Sequence, residues 1–130
     1  MIADTSVWID ASNRRPNWQV GRLRETIASR TAMIVDPVRL EVLAGLAASA
    51  SPARLLAMFG NCEEVMQLHR VDAEDAAGIY RGCRGFGETI RSATECLIAA
   101  IAIRNDVPVL HRDRDYDVIA KHFPLRVVQK

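Results

Sequence analysis

Apolar residues recur at two spacings along this chain, and the alternation between them predicts the elements. Short apolar runs at residues 1–3, 32–35, 65–69, 107–110 and 125–128 read as strands. Val20, Leu23 and Ile27 recur at three- and four-residue intervals, which predicts an amphipathic helix over 18–29. Residues 6–10 read as a helical turn, and 51–60 and 115–122 as further helices. Asp36 followed by Pro37 reads as a cap and a first helical residue, since proline lacks only an N–H that a helix start leaves unused. That helix carries Glu41 and ends near Gly45, and Asp72 opens another that stops between Gly82 and Gly87. Cys96 through Ile103 are apolar without interruption, so the helix over 92–104 is buried on most sides. Strands alternating with helices give an α/β sandwich with a mainly parallel central sheet, and 130 residues suit a single domain, 1–130.

Parallel sheets bind ligands at the carboxyl ends of their strands. Asp4 ends the first predicted strand, Asp36 the second, and Glu41 follows on the next helix. Asp113 and Asp115 follow the strand ending at Leu110, and Glu95 opens the buried helix. Carboxylates gathered at one edge repel one another unless a cation joins them. Hard oxygen donors suit magnesium or manganese, which polarise a phosphate and activate water. Several of the acids also have a purely structural role open to them. Asp36, Asp72 and Asp113 stand where helix caps are expected. Ser92-Ala93-Thr94-Glu95 matches a capping box, in which Glu95 reaches back to the Ser92 N–H.

Charge narrows the picture. Seventeen basic residues face sixteen acids, a net +1, so the chain has no general basic footprint for nucleic acid. Only Lys121 and Lys130 are lysines; the arginine pairs Arg14-Arg15 and Arg112/Arg114 are ordinarily solvated, and beside an acidic site they would hold phosphate. Aromatic residues are 5%, so aliphatic side chains must fill the core, with Trp8 and Trp18 as anchors. Cys62, Cys83 and Cys96 form no Cys-x-x-Cys pair and read as reduced, mostly buried thiols of a cytoplasmic protein. No secretory leader is expected and no run approaches the roughly 20 apolar residues of a membrane span, so no membrane association is predicted. His69, His111 and His122 are isolated, which argues against a two-histidine nuclease.

Four segments together resemble the PIN-domain family, specifically the VapC toxins of bacterial toxin–antitoxin pairs. Met-Ile-Ala-Asp4-Thr5-Ser6-Val-Trp-Ile-Asp resembles the family's opening, and Arg39-Leu40-Glu41-Val42 its second acidic motif. Gly87-Glu-Thr-Ile-Arg-Ser-Ala-Thr-Glu95-Cys-Leu-Ile-Ala-Ala is similar to the third, and His111-Arg-Asp113-Arg-Asp115-Tyr-Asp-Val-Ile-Ala to the fourth. The resemblance implies a PIN-like α/β/α sandwich and a Mg2+-dependent endoribonuclease, with Mn2+ as a substitute. It implies a homodimer acting on structured RNA such as tRNA or rRNA, and a cognate VapB antitoxin that inserts a C-terminal segment into the active-site groove. By the same resemblance Asp4, Glu41, Glu95 and Asp113 are catalytic acids; Asp4, Glu95 and Asp113 hold the metal, and Asp115 is an accessory acid. One position departs from the family, whose third acid is aspartate. Glu95 carries its carboxylate about 1.5 Å further out, one bond length more. The capping-box role therefore stays open for it, as does a catalytically impaired PIN-fold module that only binds a partner. A receiver-like signalling domain would need a lysine where His111-Arg112-Asp113 stands, and a haloacid-dehalogenase-type phosphatase would need an aspartate at Ser6.

Overall fold

The computed structural model describes residues 1–130. Four very short strands form one parallel sheet: β1 (Ile2–Ala3), β2 (Met33–Ile34), β3 (Glu63–Glu64) and β4 (Val109–Leu110), in the order β3-β2-β1-β4. Ile2 pairs with Met33 on one side and Val109 on the other, and Ala3 with Leu110. Ile2, Ala3, Val109 and Leu110 are all buried, so the central strands are covered on both faces, as parallel sheets require. The chain winds outward from β1 to β3, then crosses back to place β4 on the other side of β1. The switch point between β1 and β4 leaves a crevice at their carboxyl ends.

Seven helices connect and cover the strands: α1 (Thr5–Ser12), α2 (Trp18–Ala28), α3 (Asp36–Ala44), α4 (Ala53–Phe59), α5 (His69–Gly85), α6 (Ala93–Arg104) and α7 (Arg114–His122). Asn17 caps α2 through its side chain, accepting from the Val20 N–H at 2.8 Å. In α6, Cys96 and Ile98 through Ala102 are buried, as its uninterrupted apolar run predicts. It packs against α5, α7 and α3. Gly82 of α5 makes room for Phe123, whose Cζ would lie 2.6 Å from an added Cβ. Trp8 is fully buried, edge-on to Phe59 with centroids 4.9 Å apart, and Trp18 packs at the margin of the core. The three cysteines form no disulfide, and burial pushes the Cys62 thiol up to about 11 and that of Cys96 to about 12. No helix is long and apolar enough to cross a membrane.

Five local expectations need correction. The third strand is Glu63–Glu64, ahead of the apolar run at 65–69; both glutamates are exposed, and their charges blunt a sheet edge that apolar residues would leave open to pairing. The run at 125–128 contributes only an isolated bridge from Val127 to Val109. Asp36 does not cap α3: Val35 holds the cap position without a side-chain bond, and Asp36 is the first helical residue, paired with Arg39 at 2.6 Å. Asp72 does not open α5, which starts a turn earlier at His69, and instead accepts from the Leu68 N–H at 2.7 Å. The 6–10 turn is a full helix, α1, because Asp4 caps it.

Candidate functional site

Asp4 is the first residue beyond β1, so the strand delivers it to the crevice. Its backbone is extended (φ −69°, ψ 159°) and its N–H donates to Leu110 O at 2.8 Å, tying it to β4. Oδ2 accepts from the Ser6 N–H at 3.1 Å and from Ser6 Oγ at 2.7 Å. Oδ1 accepts from the Tyr116 hydroxyl at 2.7 Å. Burial and then the Asp4 carboxylate, with Glu95 and Glu41 adding to both, raise the Tyr116 phenol well above its usual range, so it serves as a neutral donor. Three carboxylates thus share one phenol's surroundings.

Glu41 reaches the same crevice from α3, its Oε1 accepting from Thr5 Oγ1 at 2.8 Å. Asp113 follows β4 and caps α7, with Oδ1 accepting from the Asp115 N–H at 3.0 Å. Arg91 Nη2 lies 2.6 Å from both Asp113 oxygens. Burial pulls the Asp113 carboxyl upward, but the Asp115 N–H and the Arg91 guanidinium outweigh it and hold it below the ordinary carboxylate range.

Glu95 is the third residue of α6. The capping box is only half closed: Ser92 Oγ accepts from the Thr94 N–H at 3.1 Å, while no hydrogen bond joins Glu95 to the Ser92 N–H. Glu95 Oε2 is instead buried without a partner. Burial pushes its carboxyl up, and the charges of Asp4 and Asp113 add to the rise; its own N–H and the Ser92 hydroxyl offset part of it without reversing it. An unpartnered buried carboxylate oxygen is costly, and such groups concentrate at functional sites.

Asp4, Glu41, Glu95 and Asp113 therefore converge from four elements on the switch point. No three of these acids stand close enough to share one ion. The donor set nevertheless fits a hard divalent cation: every donor is a carboxylate oxygen, and one of them is buried and unsatisfied. Asp36 lies outside the group, exposed and paired with Arg39, which also pairs with Glu64. Asp115 is almost fully buried and accepts from the Arg91 N–H at 3.0 Å, so it braces the loop before α6.

A cleft of about 470 Å³ opens beside Asp113, lined by Ser6, Asp10, Arg91, Arg112 and Arg114 among others. Buried Asp10 pairs with Arg112 and accepts from Asn17 Nδ2 at 3.0 Å. Each histidine is engaged separately: His122 with Glu88 at 2.6 Å, His111 3.6 Å from Asp117, and His69 at the start of α5. Sequence reasoning missed Tyr116, the Thr5–Glu41 bond and the Arg91–Asp113 pair. Nothing in residue spacing signals them, because each joins residues far apart in the chain.

The PIN domain model matches residues 1–122. The VapC ribonuclease Mb1587 of Mycobacterium bovis is 37% identical over 124 residues, covering 93% of this chain and 92% of the relative. The ribonuclease VapC11 of Mycobacterium tuberculosis matches to the same extent. Among solved structures, VapBC2 from Rickettsia felis bound to a promoter DNA fragment superposes with TM-score 0.73 at 15% identity, covering 98% of this chain and 96% of that one. FitAcB from Neisseria gonorrhoeae superposes with TM-score 0.70 at 20% identity, over the same shares. At such identities the likeness to these structures concerns the fold.

Proposed function

The chain belongs to the PIN-domain family, close to the VapC ribonucleases, and on that footing we propose that it is a divalent-metal-dependent endoribonuclease, the toxin of a VapBC-type pair. The observation that carries the metal-dependent part is Glu95 Oε2, buried and unpartnered among Asp4, Glu41 and Asp113. Asp4, Glu95 and Asp113 would hold Mg2+ or Mn2+, and Glu41, anchored by Thr5, would orient water or an outer coordination position. When bound there, the cation would supply Lewis-acid polarisation of a phosphate and a water made nucleophilic at neutral pH. The residues of this chain do the rest. Tyr116 and Ser6 hold Asp4 in one orientation, so this one acid is set in place before a ligand arrives. Arg112, braced by Asp10, offers a fixed guanidinium to the RNA backbone.

The further parts of the reading rest on the family: a VapB-type antitoxin that silences the site, a homodimer, and tRNA or rRNA as substrate. The test is cleavage of RNA by purified protein with Mg2+ or Mn2+, stopped by a chelator, leaving 5′-phosphate and 3′-hydroxyl ends. A 2′,3′-cyclic phosphate product, or full activity after exhaustive metal removal, sinks the reading. A folded protein that binds a VapB partner yet cuts no RNA under any divalent cation would favour the binding-module alternative.

A further inference from the structure

Arg91 sits in the loop before α6 and is held at its two ends by different means. Its backbone N–H donates to buried Asp115 at 3.0 Å, so the main chain is pinned. Its side chain is 69% exposed, yet Nη2 lies 2.6 Å from both oxygens of Asp113, and Nε lies 3.6 Å from Asp115 Oδ2. A long exposed arginine is held this way only by the carboxylate it covers, because solvent offers it many other rotamers. The same side chain lines the cleft that Arg112 and Arg114 line. Arg112 is braced by Asp10 at the cleft wall, and Arg114 stands beside it without an ion pair.

We infer that Arg91 is an exchangeable counter-cation: it occupies Asp113 while no divalent cation is there, and turns to a phosphate of the RNA backbone in the arginine-lined cleft when one is. This rests on the acidic-centre reading above and adds a residue and a coupling to it. Asp113 has one carboxylate, and the guanidinium covers both of its oxygens, so a cation binding there competes with Arg91 for the same lone pairs. The arriving charge also repels the guanidinium. Displaced, Arg91 keeps only the long 3.6 Å contact of Nε with buried Asp115, whose same oxygen already accepts from the Arg91 N–H, and Asp10 is taken by Arg112. A phosphate oxygen is the remaining acceptor that a guanidinium fork matches. With Asp113 neutralised, three arginines face the cleft, and metal and RNA favour one another through Arg91.

Two probes test this. Mn2+ alone is titrated calorimetrically into the metal-free protein, wild type and Arg91→Gln. A short single-stranded oligodeoxynucleotide, serving only as a phosphate backbone, is followed by fluorescence anisotropy with and without Mn2+. Arg91→Gln should bind Mn2+ about fivefold more tightly, because the competitor is gone. Mn2+ should tighten oligonucleotide binding to wild type and steepen its log–log salt slope by about 0.7, one phosphate contact, and both effects should be missing in Arg91→Gln. Arg91→Lys keeps the charge without the fork and should retain part of the coupling, which guards against a Gln variant that folds poorly. Equal Mn2+ affinity in wild type and Arg91→Gln, or Mn2+-dependent tightening undiminished in the variant, overturns this inference alone. Wild-type protein that binds no Mn2+ overturns the acidic-centre reading and this inference with it.

Discussion

The two ends of α6 each meet a buried carboxylate oxygen and treat it in opposite ways. At the C-terminal end, Arg104 Nε and Nη2 lie 2.7 and 2.8 Å from the two oxygens of Asp72, and the Leu68 N–H adds a third bond at 2.7 Å. Burial alone would raise the Asp72 carboxyl; Arg104 and Leu68 outweigh it and hold it below its ordinary value. Roughly 14 Å back along the same helix, Glu95 leaves Oε2 buried with no donor, and its carboxyl is pushed up. A fully paired buried acid fastens α5 to α6. An acid with one buried oxygen left unsatisfied among other acids is a place where stability has been given up, which is where a ligand is expected. The Asp72 end therefore reads as scaffold and the Glu95 end as site.

The sharpest way to break this contrast is Glu95→Gln. Cleavage should fall at least about a hundredfold, some 2.7 kcal/mol of transition-state stabilisation, while Glu95→Asp should retain much of it. A fully active, normally folded Glu95→Gln would make Glu95 a half-used cap residue and the two ends of α6 alike.

Asp72→Ala should do the reverse. Leaving Arg104 without its partner should cost about 2 kcal/mol in urea unfolding, below the usual range for breaking a buried pair because the Arg104 side chain is partly exposed. Activity per folded molecule should be unchanged. A loss of specific activity with no loss of stability would move Asp72 from scaffold to site.

Metal should stabilise only the Glu95 end. Mg2+ or Mn2+ at about ten times its Kd should add roughly 1.4 kcal/mol to unfolding, and Asp4→Asn should remove that gain. Thermal melts with and without the cation read it directly. Equal gains in wild type and Asp4→Asn would place the bound ion elsewhere.

The smallest effect is in pH, and its sign differs at the two ends. Asp72 has a lowered carboxyl in the fold, so its contribution is present above the unfolded value and is lost as pH falls through the folded one. Glu95 has a raised carboxyl, so metal-free stability falls as pH rises from the unfolded value through the folded one. Glu95→Gln should thus gain roughly half a kcal/mol at neutral pH without metal, the scale of a screened like-charge contact, and nothing in acid. Urea melts of the metal-free proteins across that range test it; a gain that persists in acid would assign it to packing.

Much of this was legible in the chain alone, and the reason is that it was local. The apolar run of α6, the Ser92 and Asp113 caps and the place of Asp4 at a strand end all follow from neighbours within a few residues. Asp36 and Asp72 mislead because each sits where a cap is expected, while the true helix starts, after Val35 and Leu68, use no side-chain cap to announce them. The third strand was displaced because its two residues are exposed glutamates, which carry no apolar signal.

By itself the sequence determined the parallel α/β class, the burial of α6 and the set of acids delivered to the strand ends, since those depend on periodicity and short-range capping. Tertiary structure alone decided which of those acids stay unpaired. Tyr116 reaches Asp4 across 112 residues, Arg104 reaches Asp72 across 32 and Arg91 reaches Asp113 across 22, while nothing reaches Glu95 Oε2. Hydrogen-bond partnership between distant side chains depends on where the packed elements bring them, and no spacing along the chain encodes that.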